Sequence, residues 1–212
     1  GRGKPGGALS GVHPVDLAAG VLRSVLERNG LESRQIDDVL FGCVSQIGEQ
    51  SFNVGRTAWL SAGLPKQVAA TTVDTQCGSS QQATNMATAL VKAGVIDVAL
   101  ACGVEVMSRV PIGSNSSKKL GYGVPIPKSY FEEHEFTSQF EGAERIADKY
   151  GISREDTDRF GLESQERAAK AIAEGRFEHQ IIPIEAPVLG EDGKKTDQTM
   201  TVTRDEIPRD TS

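Results

Sequence analysis

Three short apolar runs, at residues 38–44, 69–75 and 96–102, alternate with segments patterned as helices. That alternation is what most restricts the fold. Apolar runs with β-branched residues and helical stretches between them point to parallel strands joined by crossover helices, hence an α/β layer. Residues 14–29 carry Leu17, Ala18, Val21, Leu22, Val25 and Leu26 on one helical face, with Pro14 at the first turn and Gly30 as the stop. A short helix over 54–62 ends at Gly63 and Pro65, and a small-residue helix over 79–93 closes at Gly94.

The texture changes after Met107. Residues 111–135 are rich in Gly, Pro, Ser and Lys and read as a long loop. Phe136, Phe140, Ala143, Ala147 and Tyr150 then follow at helical spacing. Ser153, with Asp156 three residues on, forms a capping signature for a second helix reaching about Glu174 and Gly175. Residues 181–189 and 199–203 read as strands around a Glu191-Asp192-Gly193 turn. We expect two domains, 1–108 and 109–212, the first α/β and the second mostly helical. The polar tail, 204–212, gives the chain the look of a section of something longer.

Composition removes several classes of function. The 212 residues hold 23 Lys plus Arg against 29 Asp plus Glu, a net charge of -6, which argues against a nucleic-acid binder. No run approaches the ~20 apolar residues of a membrane helix. The three cysteines, Cys43, Cys77 and Cys102, are too few and too scattered for a disulfide framework or a zinc site. Reduced thiols and the lack of a signal-peptide pattern lead us to expect a cytoplasmic protein.

One passage carries chemistry: Val73-Asp74-Thr75-Gln76-Cys77-Gly78-Ser79-Ser80-Gln81-Gln82-Ala83. A strand ends, a cysteine sits in the turn, and a helix begins at once. A helix start presents unpaired N–H groups and a partial positive charge, both of which stabilise anionic sulfur and a developing oxyanion. Gly78 leaves room for a substrate. The pattern fits a nucleophile elbow; a buried structural cysteine is the other reading.

At this point the sequence resembles the thiolase family, in its N-terminal half. The resemblance covers nearly the whole chain. It runs through Gly7-Ala8-Leu9-Ser10, Gly42-Cys43-Val44-Ser45-Gln46 and Gly48-Glu49-Gln50. It continues through Asn53-Val54-Gly55-Arg56-Thr57-Ala58-Trp59-Leu60, Ala62-Gly63-Leu64-Pro65 and Cys102-Gly103-Val104-Glu105-Val106-Met107-Ser108. Phe160-Gly161-Leu162-Glu163-Ser164-Gln165 and Glu174-Gly175-Arg176-Phe177 resemble the family's loop domain, which covers the coenzyme A site. Many thiolases read Cys-Ser-Ser-Gly where this chain reads Cys77-Gly78-Ser79-Ser80-Gln81-Gln82. That variant is similar to the branch acting on bulky steroid or lipid acyl-CoA substrates.

The resemblance implies a layered α/β half-domain with an inserted, mostly helical loop domain. It implies that Cys77 attacks a 3-ketoacyl-CoA to form an acyl-enzyme, or works in the reverse Claisen condensation. Cys77 would also supply a backbone N–H to the oxyanion. Gln139 and Phe140 would line the acyl or pantetheine channel, and Arg209 would meet an adenine-side or phosphate group. Coenzyme A enters as substrate, with no bound cofactor and no metal, and homodimers or homotetramers form through the sheet edge and residues near 53–59. The family's second cysteine, its histidine and its asparagine belong to motifs of the Gly-His-Pro and Cys-x-Gly type, which this sequence does not contain; its first strand is also missing. We therefore expect the isolated chain to be inactive. The alternatives are a ketoacyl synthase, which shares the elbow cysteine, and a non-catalytic scaffold with the same fold.

Other signals are bland. Gly1-x-Gly3-x-x-Gly6 lacks a preceding strand and contains Pro5, so it is no dinucleotide fingerprint. His13, His134 and His179 read as surface or helix-end residues, and Glu132-Glu133-His134-Glu135 as a solvated acidic run. Cys43 and Cys102 read as small core residues, and Glu105 and Met107 as structural residues at a strand end, where α/β sites cluster.

Overall fold

A computed structural model describes residues 6–211. In it, α1 (Pro14–Arg28), β1 (Asp38–Gly42), α2 (Val54–Ser61), β2 (Ala69–Val73), α3 (Ser79–Lys92) and β3 (Ala99–Gly103) follow in alternation. The three strands are parallel in the order β2-β1-β3, with Gly42 in register with Val73 and Gly103. The third strand starts at Ala99 rather than at 96, because Asp97 and Val98 are held outside the ladder: their N–H groups donate to Asp37 Oδ2 at 2.8 and 2.9 Å.

The sheet is covered on both faces, and the alternation of β1 side chains sets which face each residue serves. Val39, Phe41 and Cys43 join Leu22 and Leu26 of α1 and Val54, Ala58 and Trp59 of α2 in the larger core. Leu40, pointing the other way, packs with Ala83 and Ala87 of α3. Phe41 is 1% exposed, and such a burial contributes ~1.5–3 kcal/mol. Trp59 is fully buried, and its indole N–H donates to Pro65 O at 2.8 Å. Helix α1 is capped by His13, whose Nδ1 accepts from Val15 N–H at 3.2 Å. Glycines let the layers close: a Cβ on Gly55 would lie 2.5 Å from Phe41 Cβ.

The chain forms two compact units. The first runs to Asn115 and also takes in Ile182–Arg204. This division differs from the expected domains 1–108 and 109–212. The hairpin of β4 (Ile184–Leu189) and β5 (Lys195–Val202) groups with the α/β layer. The contacts explain why: Gly11 lies so close to Pro187 and Leu189 that a Cβ there would meet them at 2.9 and 3.0 Å, and Ala186 is fully buried. The expected turn is present, with Gly193 at φ 73° and Lys194 O accepting from Gly190 N–H at 2.8 Å. β5 begins four residues earlier than expected, at Lys195, since alternation in a polar edge carries little hydropathy signal.

The second unit holds Ser116–Ile181 and the stretch from Asp205 onward. It contains α4 (Tyr130–Glu133), α5 (Gln139–Tyr150) and α6 (Arg154–Ala173). The expected loop over 111–135 is broken by short 3-10 turns and by α4. Ser138 caps α5 through Glu141 N–H, and Ser153 with Asp156 makes the expected reciprocal capping box on α6. Neither long helix has a buried residue; Phe140 is 76% and Phe160 74% exposed, so their helical spacing marks an amphipathic face rather than a core. Among the described residues no helix is long and apolar enough to cross a membrane. The Gly1-x-Gly3-x-x-Gly6 spacing lies, except for Gly6, outside the described residues.

Candidate active site

Cys77 lies four residues beyond β2 and two before α3, at the C-terminal edge of the parallel sheet. Its side chain is exposed. The residue before it, Gln76, has φ 53°, a left-handed conformation that costs a non-glycine residue roughly 1–2 kcal/mol. Local hydrogen bonds hold it there. Asp74 Oδ1 accepts from Gln76 N–H at 2.8 Å. Ser79 Oγ accepts from Thr75 N–H at 3.1 Å and donates to Gln76 O at 2.5 Å. Gly78 N–H and Ser79 N–H turn back onto Thr75 O and Gln76 O at 3.2 and 3.0 Å. These two amides are therefore engaged within the turn. The sequence motif shows a cysteine between strand and helix; the left-handed Gln76 has no signal in it.

The first turn of α3 sits directly on two strand ends. A Cβ on Gly42 would come 2.5 Å from Ser80 N, and one on Gly103 2.7 Å from Gly42 O and closer still to Ser80 Oγ. Only glycine permits this approach. The helix start and the thiol are thus seated at the carboxyl ends of parallel strands, where ligands bind in α/β sheets.

The other two thiols are placed differently. Cys43 is buried; burial, then the Glu105 charge, pushes its pKa up to about 12. Burial likewise pushes Cys102 up to about 12. Cys77 is the exposed thiol of the three.

Glu105, expected as a structural residue at a strand end, gathers donors from several segments of the first unit. Its carboxylate receives Val44 N–H at 2.6 Å, Ser45 N–H at 3.0 Å, the Cys43 thiol at 3.5 Å and Gln50 Nε2 at 3.0 Å. Nearby, Glu49 and Arg109 form a bidentate ion pair with both contacts at 2.5 Å. The Arg109 guanidinium holds the Glu49 carboxyl below the usual range. Phe52, at φ 59° and 94% exposed, and Asn53, at φ 55°, begin α2 in strained conformations. Asn53 is fixed by Thr72 Oγ1 at 2.7 Å, Ala70 O at 2.8 Å and Arg56 N–H at 3.3 Å.

Gln139, Phe140 and Arg209 belong to the second unit, Cys77 to the first. Gln139 opens α5, with Phe140 exposed beside it. Arg209 N–H donates to Gln165 Oε1 at 3.1 Å across a hollow of about 450 Å³ between α6 and residues 208–211, and neither Gln139 nor Phe140 lines it. Among the described residues no group of three His, Cys, Asp or Glu could hold a metal ion.

A family model described as Thiolase, N-terminal domain, matches residues 2–212. The chain belongs to the thiolase family. It is 44% identical over 189 residues to the steroid 3-ketoacyl-CoA thiolase of Mycobacterium tuberculosis, covering 86% of this chain and 46% of that protein. It is 38% identical over 203 residues to the 3-ketoacyl-CoA thiolase of Bacillus subtilis, covering 94% of this chain and 50% of that one. Among solved structures, the Bacillus anthracis acetyl-CoA acetyltransferase superposes with a TM-score of 0.81 at 34% identity, covering 98% of this chain and 52% of the other. The fold is thus the layered α/β thiolase fold. The chain spans about half the length of the thiolases it matches.

Proposed function

We propose that the protein carrying this sequence is an acyl-CoA thiolase and that Cys77 is its nucleophile. Family membership favours this over a ketoacyl synthase or a scaffold. The observation that carries the site is the exposed Cys77 directly after the left-handed Gln76, between β2 and α3.

The Cys77 thiolate adds to the 3-keto carbonyl carbon of a 3-ketoacyl-CoA. The carbonyl oxygen takes the electron pair and is held by the Cys77 backbone N–H, since the Gly78 and Ser79 amides are used within the turn. The carbonyl re-forms as the C2–C3 bond breaks. The electron pair leaves on C2 as the enolate of a CoA thioester, which an acid protonates; the family resemblance puts that acid in the other half of the subunit. The acyl group is left as a thioester on Cys77. The thiolate of a second CoA attacks it and expels the Cys77 thiolate. One carbon–carbon cleavage that leaves a thioester on sulfur, followed by one thioester exchange, replaces a single hard step.

Coenzyme A is substrate in this reading. Arg209 is its candidate anionic-group contact, because its hollow is of ligand size, and Gln139 and Phe140 are the candidates along the acyl or pantetheine channel. A steroid-like or other bulky acyl group is favoured by the 44% identity to a steroid thiolase. Self-association as a homodimer or homotetramer is included, because β2 lies at the sheet edge and Phe52 is exposed at the start of α2.

The test takes the longest natural polypeptide that contains this sequence. It is mixed briefly with acetoacetyl-CoA, and its peptides are mapped by mass spectrometry, with its mass in solution measured alongside. An acetyl group on the Cys77 peptide, absent in Cys77→Ala, is expected. An unmodified Cys77 with every family motif present would overturn the assignment, and a monomer would overturn the assembly.

A further inference from the structure

Four hydrogen-bond donors converge on the Glu105 carboxylate, and none belongs to Cys77. Three come from the turn that leaves β1, at residues 43–45. The fourth, Gln50, is fully buried and ties the network further. Its Nε2 also donates to Ser45 O at 3.0 Å, and its Oε1 accepts from Val106 N–H at 2.9 Å. No buried side-chain polar atom among the described residues is left without a partner. The exit of β1 and the exit of β3 are therefore clamped on one charged group. Hydrogen bonds to a charged acceptor are roughly twice as strong as neutral ones.

The clamp continues to the elbow. Cys43 N–H donates to Val73 O at 3.1 Å, at the end of β2. Asp74 follows and fixes the Gln76 amide, next to Cys77. Val104 N–H donates to Gly42 O at 3.3 Å, and Gly42 and Gly103 are the two residues against which the first turn of α3 rests. Each strand end that seats the thiol is thus tied, by one or two links, to Glu105.

We infer that Glu105 is a positioning residue for Cys77, holding the ends of β1, β2 and β3 in the arrangement that aims the thiol and its backbone N–H at the reacting carbonyl. This rests on Cys77 being the nucleophile. A carboxylate suits the place better than an amide. An amide in its position would turn an NH₂ group toward donors, either the backbone amides or Gln50 Nε2. Cys43 adds a second support, because donating its S–H to Glu105 keeps that buried sulfur a thiol.

The experiment compares Glu105→Gln, Gln50→Met and the double variant in the same full polypeptide. Thermal unfolding, steady-state kinetics and the single-turnover rate of Cys77 acylation are measured on each. At temperatures where the variants are fully folded, E105Q should acylate Cys77 about ten-fold or more slowly, the scale of a sub-ångström misplacement. KM should stay within about two-fold. The double variant should be no slower than the slower single, because both break one clamp. Wild-type acylation rates in folded E105Q, or a loss that follows only the unfolded fraction, would overturn the inference while leaving Cys77 as nucleophile. A wild type that never acylates Cys77 would remove both. Should E105Q fail to fold, Q50M decides by the same two criteria.

Discussion

Gly42→Ala is the sharpest probe of how α3 is seated. The added methyl carbon would start 2.5 Å from Ser80 N, 2.7 Å from Ser79 C and 2.8 Å from Ser80 Cα. All three are backbone atoms, so no side chain can swing away. Ordinary contact begins near 3.4 Å, so the helix start must retreat by about 0.9 Å. Forcing a methyl into a packed interface costs ~1–3 kcal/mol. The same displacement moves the residues that follow Cys77, and misplacement on the ångström scale costs about 10²-fold in rate. Urea unfolding followed by far-ultraviolet circular dichroism gives the first quantity, and the acylation rate of Cys77 the second. Gly142→Ala is the control: it lies in α5 with nothing within 4 Å of the new methyl. It should stabilise its helix by up to ~1 kcal/mol and leave acylation alone. A Gly42→Ala protein with wild-type stability and acylation would refute the close seating of α3 on β1.

Two further outcomes follow from charge. At pH 8 a thiol whose pKa stands at about 12 is ionised to about one part in 10⁴, so Cys43 and Cys102 should alkylate with iodoacetamide on the order of 10³-fold more slowly than free cysteine. Label should collect on exposed Cys77, and comparable labelling of Cys43 in the folded protein would contradict its burial. Glu49→Gln should lower stability at neutral pH by about 1–2 kcal/mol, because the bidentate Arg109 pair is only partly shielded. Arg109 depresses the folded carboxyl below its unfolded value, so the stabilisation is present above that value and lost as pH falls through the folded one. The wild-type and Glu49→Gln unfolding curves should begin to converge below about pH 4.3, and a gap that persisted or widened there would contradict the pairing.

Much of the α/β layer was legible because its signals are local. Pro14 and Gly30 bracket α1, the apolar run of β1 is unbroken, and Ser153 with Asp156 announces α6. The elbow was legible as a cysteine between a strand and a helix. What escaped depends on contacts distant in sequence. Nothing near residues 184–202 says that this hairpin meets Gly11. Nothing around Glu105 says that residues 43–50 will deliver four donors to it. The positive φ of Phe52 and Gln76 is likewise silent, since neither type favours that conformation and the surrounding bonds impose it.

The distribution of aromatic residues divides the molecule optically. The single tryptophan, Trp59, is sealed within the first unit, while all three tyrosines, Tyr122, Tyr130 and Tyr150, lie in the second. Red-edge ultraviolet excitation therefore reports only on the α/β layer, through an indole in apolar surroundings whose emission shifts when water reaches it. Tyrosine absorbance reports on the helical unit alone. Native protein thus carries two separate colours, and whether one unit melts before the other can be watched without attaching a dye.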